Sequence, residues 1–135
     1  MKLIKNVYAH CDIPCGIYET DTIKHASATC MRMVEILNEI GRVDGKDLEK
    51  AAKFVRTVQV KEKYAQKIKD ELCLLWTDYF KTEHLAKAPD LHEKIWNTAK
   101  QASKVKQSVS VDECLKLNDM IAEVDEIFQA SKNHH

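Results

Sequence analysis

Residues 47–80, DLEKAAKFVRTVQVKEKYAQKIKDELCLLWTDYF, contain neither glycine nor proline. Leu48, Ala52, Val55, Val58, Glu62, Ala65, Ile68 or Lys69, Leu72, Leu75 or Trp76, and Tyr79 recur along it at steps of three and four, close to a heptad. That spacing returns to one face of an α-helix. Unbroken, such a helix is about 50 Å long, so the stretch predicts a bundle or a coiled-coil seam. Gln59 and Glu62 interrupt the seam with polar groups and mark where a break would fall.

The flanking sequence repeats the pattern in shorter pieces. Ile23, Ala26, Cys30, Met33, Val34, Leu37 and Ile40 give one apolar face to a helix over about Thr22 to Ile40. Thr20, Asp21 and Thr22 compete for its N-cap, and Gly41 suits the position just past its end. Lys81 to Ala88 reads as a polar connection, after which Pro89 fits a first helical turn. Leu91, Ile95, Ala99, Ala102 and Val105 carry that helix to about Lys106. Ser110-Val111-Asp112-Glu113 reads as a capping box opening a last helix to about Ala130, faced by Cys114, Leu117, Ile121, Val124 and Phe128. Four helices on short connections make an all-α, antiparallel up-down four-helix bundle. Trp76, Tyr79 and Phe80 read as core and cap residues closing the long helix. Asn133-His134-His135 is a terminal tail.

Composition sets the outer bounds. At 135 residues the chain is one domain, large enough to bury a core without covalent staples. Its three glycines and two prolines leave little room for the turns of a β-sandwich. Lysine and arginine balance aspartate and glutamate at a net charge of zero, which lacks the basic footprint of a nucleic-acid binder. No apolar run reaches the roughly 18 residues of a membrane span. Three of the five cysteines, Cys30, Cys73 and Cys114, fall inside helical patterns. That placement reads as free thiols in a reducing compartment rather than a disulfide framework.

The remaining two cysteines lie in His10-Cys11-Asp12-Ile13-Pro14-Cys15-Gly16-Ile17-Tyr18, ahead of every helical pattern. Pro14 keeps Ile13 out of the α region, and Gly16 lets the chain turn away. Imidazole and two thiols on such backbone form a compact ligand set. Were the chain to begin at His10, its α-amine and the Cys11 amide nitrogen would close one five-membered chelate ring. The same amide and the Cys11 thiolate would close a second, with the Cys15 thiolate at the fourth corner. A planar set of two nitrogens and two sulfurs, with the His10 imidazole above it, favours Ni(II) or Cu(II) over tetrahedral Zn(II). An amide nitrogen does not replace a free amine, so this site requires removal of residues 1–9. That leader lacks the apolar core of a secretory signal.

The string His10-Cys11-x-x-Pro14-Cys15-Gly16-x-Tyr18 resembles the nickel hook of nickel superoxide dismutases. Leu75-Trp76-Thr77-Asp78-Tyr79-Phe80-Lys81 and Pro89-Asp90-Leu91-His92 resemble that family at matching spacing, so the resemblance covers essentially the whole chain. It implies an enzyme that disproportionates superoxide to O2 and H2O2 by cycling Ni(II)/Ni(III), with one nickel per subunit. It implies His10, Cys11 and Cys15 as metal ligands, Asp12 holding the shape of the hook, and Tyr18 and Tyr79 screening the open face of the metal. It further implies a precursor cut between Ala9 and His10 by a maturation protease, a mature domain of residues 10–135, a homohexamer and a bacterial cytoplasm. Some members hold the axial imidazole with a carboxylate and an arginine. Ala26 and Tyr64 occupy those places here, which makes Tyr64 the candidate partner of His10. Lys81 is a candidate for local steering of the anionic substrate.

Two other classes compete. A non-enzymatic nickel or copper carrier would bind metal through the same residues without turning over superoxide. A thiol redox module would use Cys11 and Cys15 as a dithiol, but their spacing is Cys-x3-Cys and no βαβ pattern accompanies them.

Overall fold

The computed structural model describes residues 16–132. The leader, His10, Cys11, Asp12 and Cys15 lie outside the described residues, as do His134 and His135. Four α-helices carry the described chain: α1 (Asp21–Ile40), α2 (Leu48–Leu74), α3 (Leu91–Gln107) and α4 (Val111–Lys132). Each packs on the next in sequence, and α4 closes back on α1, the four-helix bundle expected from the periodicity.

The apolar faces anticipated for α1, α3 and α4 are the ones that meet in the core. Ile23, Ala26, Cys30, Val34, Leu91, Ile95, Ala102, Val105 and all five apolar face residues of α4 are buried. Met33, Ile40 and Ala99 sit half-buried at the margin. Burial of one side chain of this kind contributes about 1.5–3 kcal/mol, so the stripes rather than helix propensity hold the bundle.

The long helix departs from its expected seam over the first half. Leu48 and Val55 are 77% and 52% exposed, and the buried line there runs through Thr57 and Lys61. The cause is helix length. Lys61 meets the last carbonyls of α3, so in an antiparallel pair the turns of α2 before it project past the end of α3. Gln59 and Glu62 do not break the helix; both face solvent on a continuous α2.

The α-helix also stops short of Phe80. Leu75–Tyr79 form a π-helical turn, closed by a bond from the Phe80 amide to the Leu75 carbonyl, five residues back, at 2.9 Å. Such turns displace the side chains they carry and concentrate at functional sites. The connection that follows holds a 3-10 turn, Thr82–Ala86. Gly41, at φ +66°, ends α1 with its amide bonded to the Leu37 carbonyl, a left-handed position where glycine carries no Cβ penalty.

Two caps differ from expectation. Thr20, Asp21 and Thr22 do not cap α1 with their own side chains; the Glu19 carboxylate does, accepting from the Asp21 amide and the Thr22 hydroxyl at 2.9 Å each. Thr20 instead donates to Asp125 on α4. At α4, Ser110 Oγ accepts from the Glu113 amide at 3.2 Å, the forward half of a capping box. The Glu113 side chain is engaged by Gln101 of α3.

Candidate active site at the aromatic end of the bundle

In an up-down bundle the start of α1, the end of α2 and the end of α4 share one end. There the chain gathers its aromatics. Tyr18 enters just before α1 and is buried, its ring centroid 5.4 Å from that of Tyr79 at an interplanar angle of 55°. Tyr79 ends the π turn and is surrounded. Phe80 meets it edge-on at 5.1 Å, Phe128 of α4 packs at 4.8 Å, and the His84 imidazole stacks nearly parallel at 5.8 Å. Offset and edge-to-face contacts of this kind add about 0.5–1.5 kcal/mol per pair beyond burial.

Polar groups fix this cluster. Tyr79 Oη lies 2.7 Å from Ser131 Oγ, and Ser131 Oγ donates to the Phe128 carbonyl at 2.6 Å. His84 Nδ1 accepts from the Lys81 amide at 2.9 Å, which puts the proton of the neutral ring on Nε2. A second network ties the segment carrying Tyr18 to α4. Asp125 accepts from Thr20, from Lys24 at 2.8 Å and from Gln129 at 3.1 Å. Burial pushes the Asp125 carboxyl up, but these three donors outweigh it and hold the group below its ordinary value.

Of the expected site residues, Tyr18 and Tyr79 are brought into contact from positions 61 apart in the chain. Lys81 is half-buried and contributes its backbone amide to His84. Ala26 is fully buried in the core, so no side chain there reaches a surface site. Tyr64 stands edge-on to His25 at 6.3 Å, pairing α2 with α1. Trp76 is not core: it is 40% exposed and donates from Nε1 to His92 Nδ1 at 2.7 Å. The sequence marked Phe128 only as a core residue of the last helix and did not single out Ser131 or His84. A serine near a helix end and a histidine in a polar connection carry no local signal of a role.

Among the described residues no three histidine, cysteine or carboxylate groups stand close enough to hold one metal ion. The cysteines there are poor donors. Burial pushes the Cys30 thiol up to about 12 and raises Cys114 as well, while Cys73 is exposed and alone. Buried, protonated thiols such as Cys30 and Cys114 are inert and structural.

Comparison with known proteins matches this geometry to one family. The model of the nickel-containing superoxide dismutases matches residues 5–132. The Streptomyces coelicolor protein "Superoxide dismutase [Ni]" is 32% identical over 126 residues, covering 93% of this chain and 90% of that protein. The protein of the same name from Streptomyces seoulensis has the same identity and coverage. The native structure of a nickel superoxide dismutase superposes with a TM-score of 0.79 at 32% identity, over 91% of this chain and 99% of that one. An apo structure of such an enzyme gives 0.77 at 29% identity, over 87% of this chain and 99% of that one. With the match running through all four helices and the aromatic end, this chain belongs to the nickel-containing superoxide dismutases.

Proposed function

We propose that this chain disproportionates superoxide at a nickel ion held by His10, Cys11 and Cys15, after removal of residues 1–9. Nickel, one ion per subunit, is the family's cofactor. The donor set fits it. A nickel redox site calls for thiolate sulfur, and the described cysteines are protonated core residues or isolated. The soft ligands therefore fall to Cys11 and Cys15, with His10 adding imidazole and, once it is the first residue, its amine. Bound there, nickel would supply the one-electron redox couple that disproportionation of superoxide requires.

The observation that carries the reading is the contact between Tyr18 and Tyr79. Three Cα–Cα steps separate Cys15 from Tyr18, a reach of at most about 11 Å, so the ligand segment is tethered to this aromatic end. The Tyr79 ring, held by Phe128, Phe80 and His84, and the Tyr18 ring resting on it make a rigid wall that passes a diatomic and water while excluding larger reductants. Asp12 holds the shape of the ligand loop. The two protons that leave in H2O2 come from solvent, through water held between the phenols. The Lys81 ammonium adds local positive charge for an anionic substrate on a chain whose net charge is zero.

The mature chain begins at His10, cut by a maturation protease, and assembles as a homohexamer in a bacterial cytoplasm. Exposed Ile17, Trp76 and Trp96 support assembly, and three free thiols among the described residues support a reducing compartment. Among the described residues no helix is long and apolar enough to cross a membrane.

N-terminal sequencing and metal analysis of active protein test the reading, with native mass spectrometry for the assembly. His10 as first residue, nickel at one per chain and loss of turnover in Cys11→Ser and Cys15→Ser are expected. Active protein retaining Met1, or nickel bound tightly without superoxide turnover, would overturn it.

A further inference from the structure

A serine hydroxyl has one hydrogen to give. Ser131 Oγ is 2.6 Å from the Phe128 carbonyl oxygen, which only accepts, so that hydrogen is committed there. The 2.7 Å contact between Ser131 Oγ and Tyr79 Oη then has one direction left: the phenol donates and the serine accepts. Reversing it would leave the Ser131 and Phe128 oxygens 2.6 Å apart with no hydrogen between them.

We propose that Ser131 is a positioning residue that takes the hydroxyl proton of Tyr79 and leaves its phenolic oxygen as a hydrogen-bond acceptor toward the nickel site. The inference rests on the placement of Tyr79 at that site. It assigns Tyr79 a definite part: the phenol holds a water by accepting from it, and the protons consumed in forming H2O2 arrive from that water rather than from Tyr79. Ser131 is well placed to keep this polarity. It is 9% exposed and stands between Tyr79 and a surface cavity of about 370 Å³ that Glu83, His84, Glu126 and Ile127 also line. Without its oxygen, solvent in that cavity would compete for the phenol proton. Four contacts fix the ring itself, with Phe128, Phe80, His84 and Tyr18, so the hydroxyl direction is the remaining freedom.

The test pairs Ser131→Thr, which keeps the oxygen, with Ser131→Val, which matches threonine in shape and removes the oxygen; Ser131→Ala serves if valine unfolds the chain. Ultraviolet resonance Raman spectra of metal-free protein, taken as differences against Tyr79→Phe, read whether the phenol donates or accepts through the tyrosine Fermi doublet. A donor signature in the wild type, lost in Ser131→Val and retained in Ser131→Thr, is expected. With nickel loaded, turnover falls about fivefold in Ser131→Val, the scale of one net hydrogen bond, and returns in Ser131→Thr. An acceptor signature in the wild type, or one unmoved by Ser131→Val, overturns the assignment. If the signature moves while Ser131→Val and Tyr79→Phe both turn over at the wild-type rate, Tyr79 does not border the reacting centre and the proposal falls with that placement.

Discussion

Lys61 Nζ donates to the carbonyl oxygen of Val105 at 2.9 Å from inside the bundle, 3% exposed. It also bonds the carbonyls of Lys106, at 2.8 Å, and Ser108. A side chain from α2 thus caps the C-terminus of α3, where carbonyls lack helical partners and the dipole favours a cation. All three ammonium hydrogens are used.

Lys61→Met tests how much that cap is worth. Burial lowers the Lys61 pKa, so part of what the three bonds contribute is offset by desolvation, and methionine removes both. Two of the three carbonyls are only partly buried and regain water. A net loss of about 1–3 kcal/mol is expected, read as a lower urea midpoint with an unchanged slope. A more stable variant would show that desolvation dominates.

Cys30 packs beside that lysine, its thiol donating to the Lys61 carbonyl at 3.6 Å. Burial raises its pKa to about 12 from an ordinary 9. The folded state therefore keeps a proton that the unfolded state gives up above pH 9. Stability from this thiol is complete below pH 9 and drains away as pH rises toward 12. Lys61, shifted the other way, opposes the trend, so the clean measurement is a difference. The stability gap between wild type and Cys30→Ala should shrink as pH is raised through 9. In the native state a thiol reagent should label Cys73 and spare Cys30 and Cys114.

Asp125 contributes to the acid limb. Its carboxyl is held below the ordinary value by Lys24, Thr20 and Gln129 against the opposing effect of burial. The unfolded chain takes up a proton first as pH falls, so the contribution is present above about pH 4 and lost as pH drops through the folded value. Asp125→Asn should cost about 1 kcal/mol at neutral pH, since Lys24 is 45% exposed and its ion pair is solvent-screened. It should also flatten the acid dependence of the melting temperature. A steep acid limb surviving in the variant would place the responsible carboxylate elsewhere.

How much of this was legible follows from what each feature depends on. The face of α4 was legible because Cys114, Leu117, Ile121, Val124 and Phe128 repeat without a fault. The first half of α2 was not, because whether Leu48 and Val55 are covered depends on where α3 ends, and Lys61 reads as a surface residue until its three carbonyls are seen. The π turn left no trace in Leu75–Tyr79, a stretch equally at home in an α-helix. Tyr18 and Tyr79 were joined beforehand only through resemblance to a family. Ser131 became visible only through its distances.

Tyr18→Phe separates packing from chemistry at the aromatic end. Tyr18 is 6% exposed and its ring rests on Tyr79. Phenylalanine keeps that contact, so stability should change by less than about 1.5 kcal/mol, whereas Tyr18→Ala should lose about 3–5 kcal/mol. If the phenol screens the metal and orders water between the two rings, its removal opens the site. Inhibition by small anions should then strengthen, and turnover by nickel-loaded Tyr18→Phe should fall. The partner measurement is Phe128→Ala, which leaves both phenols in place but removes the fully buried ring packed on Tyr79 at 4.8 Å. It should destabilise by about 3–5 kcal/mol and weaken turnover by letting Tyr79 swing. Unchanged turnover and anion inhibition in Tyr18→Phe would show that the hydroxyl is a bystander and that the wall acts by shape alone.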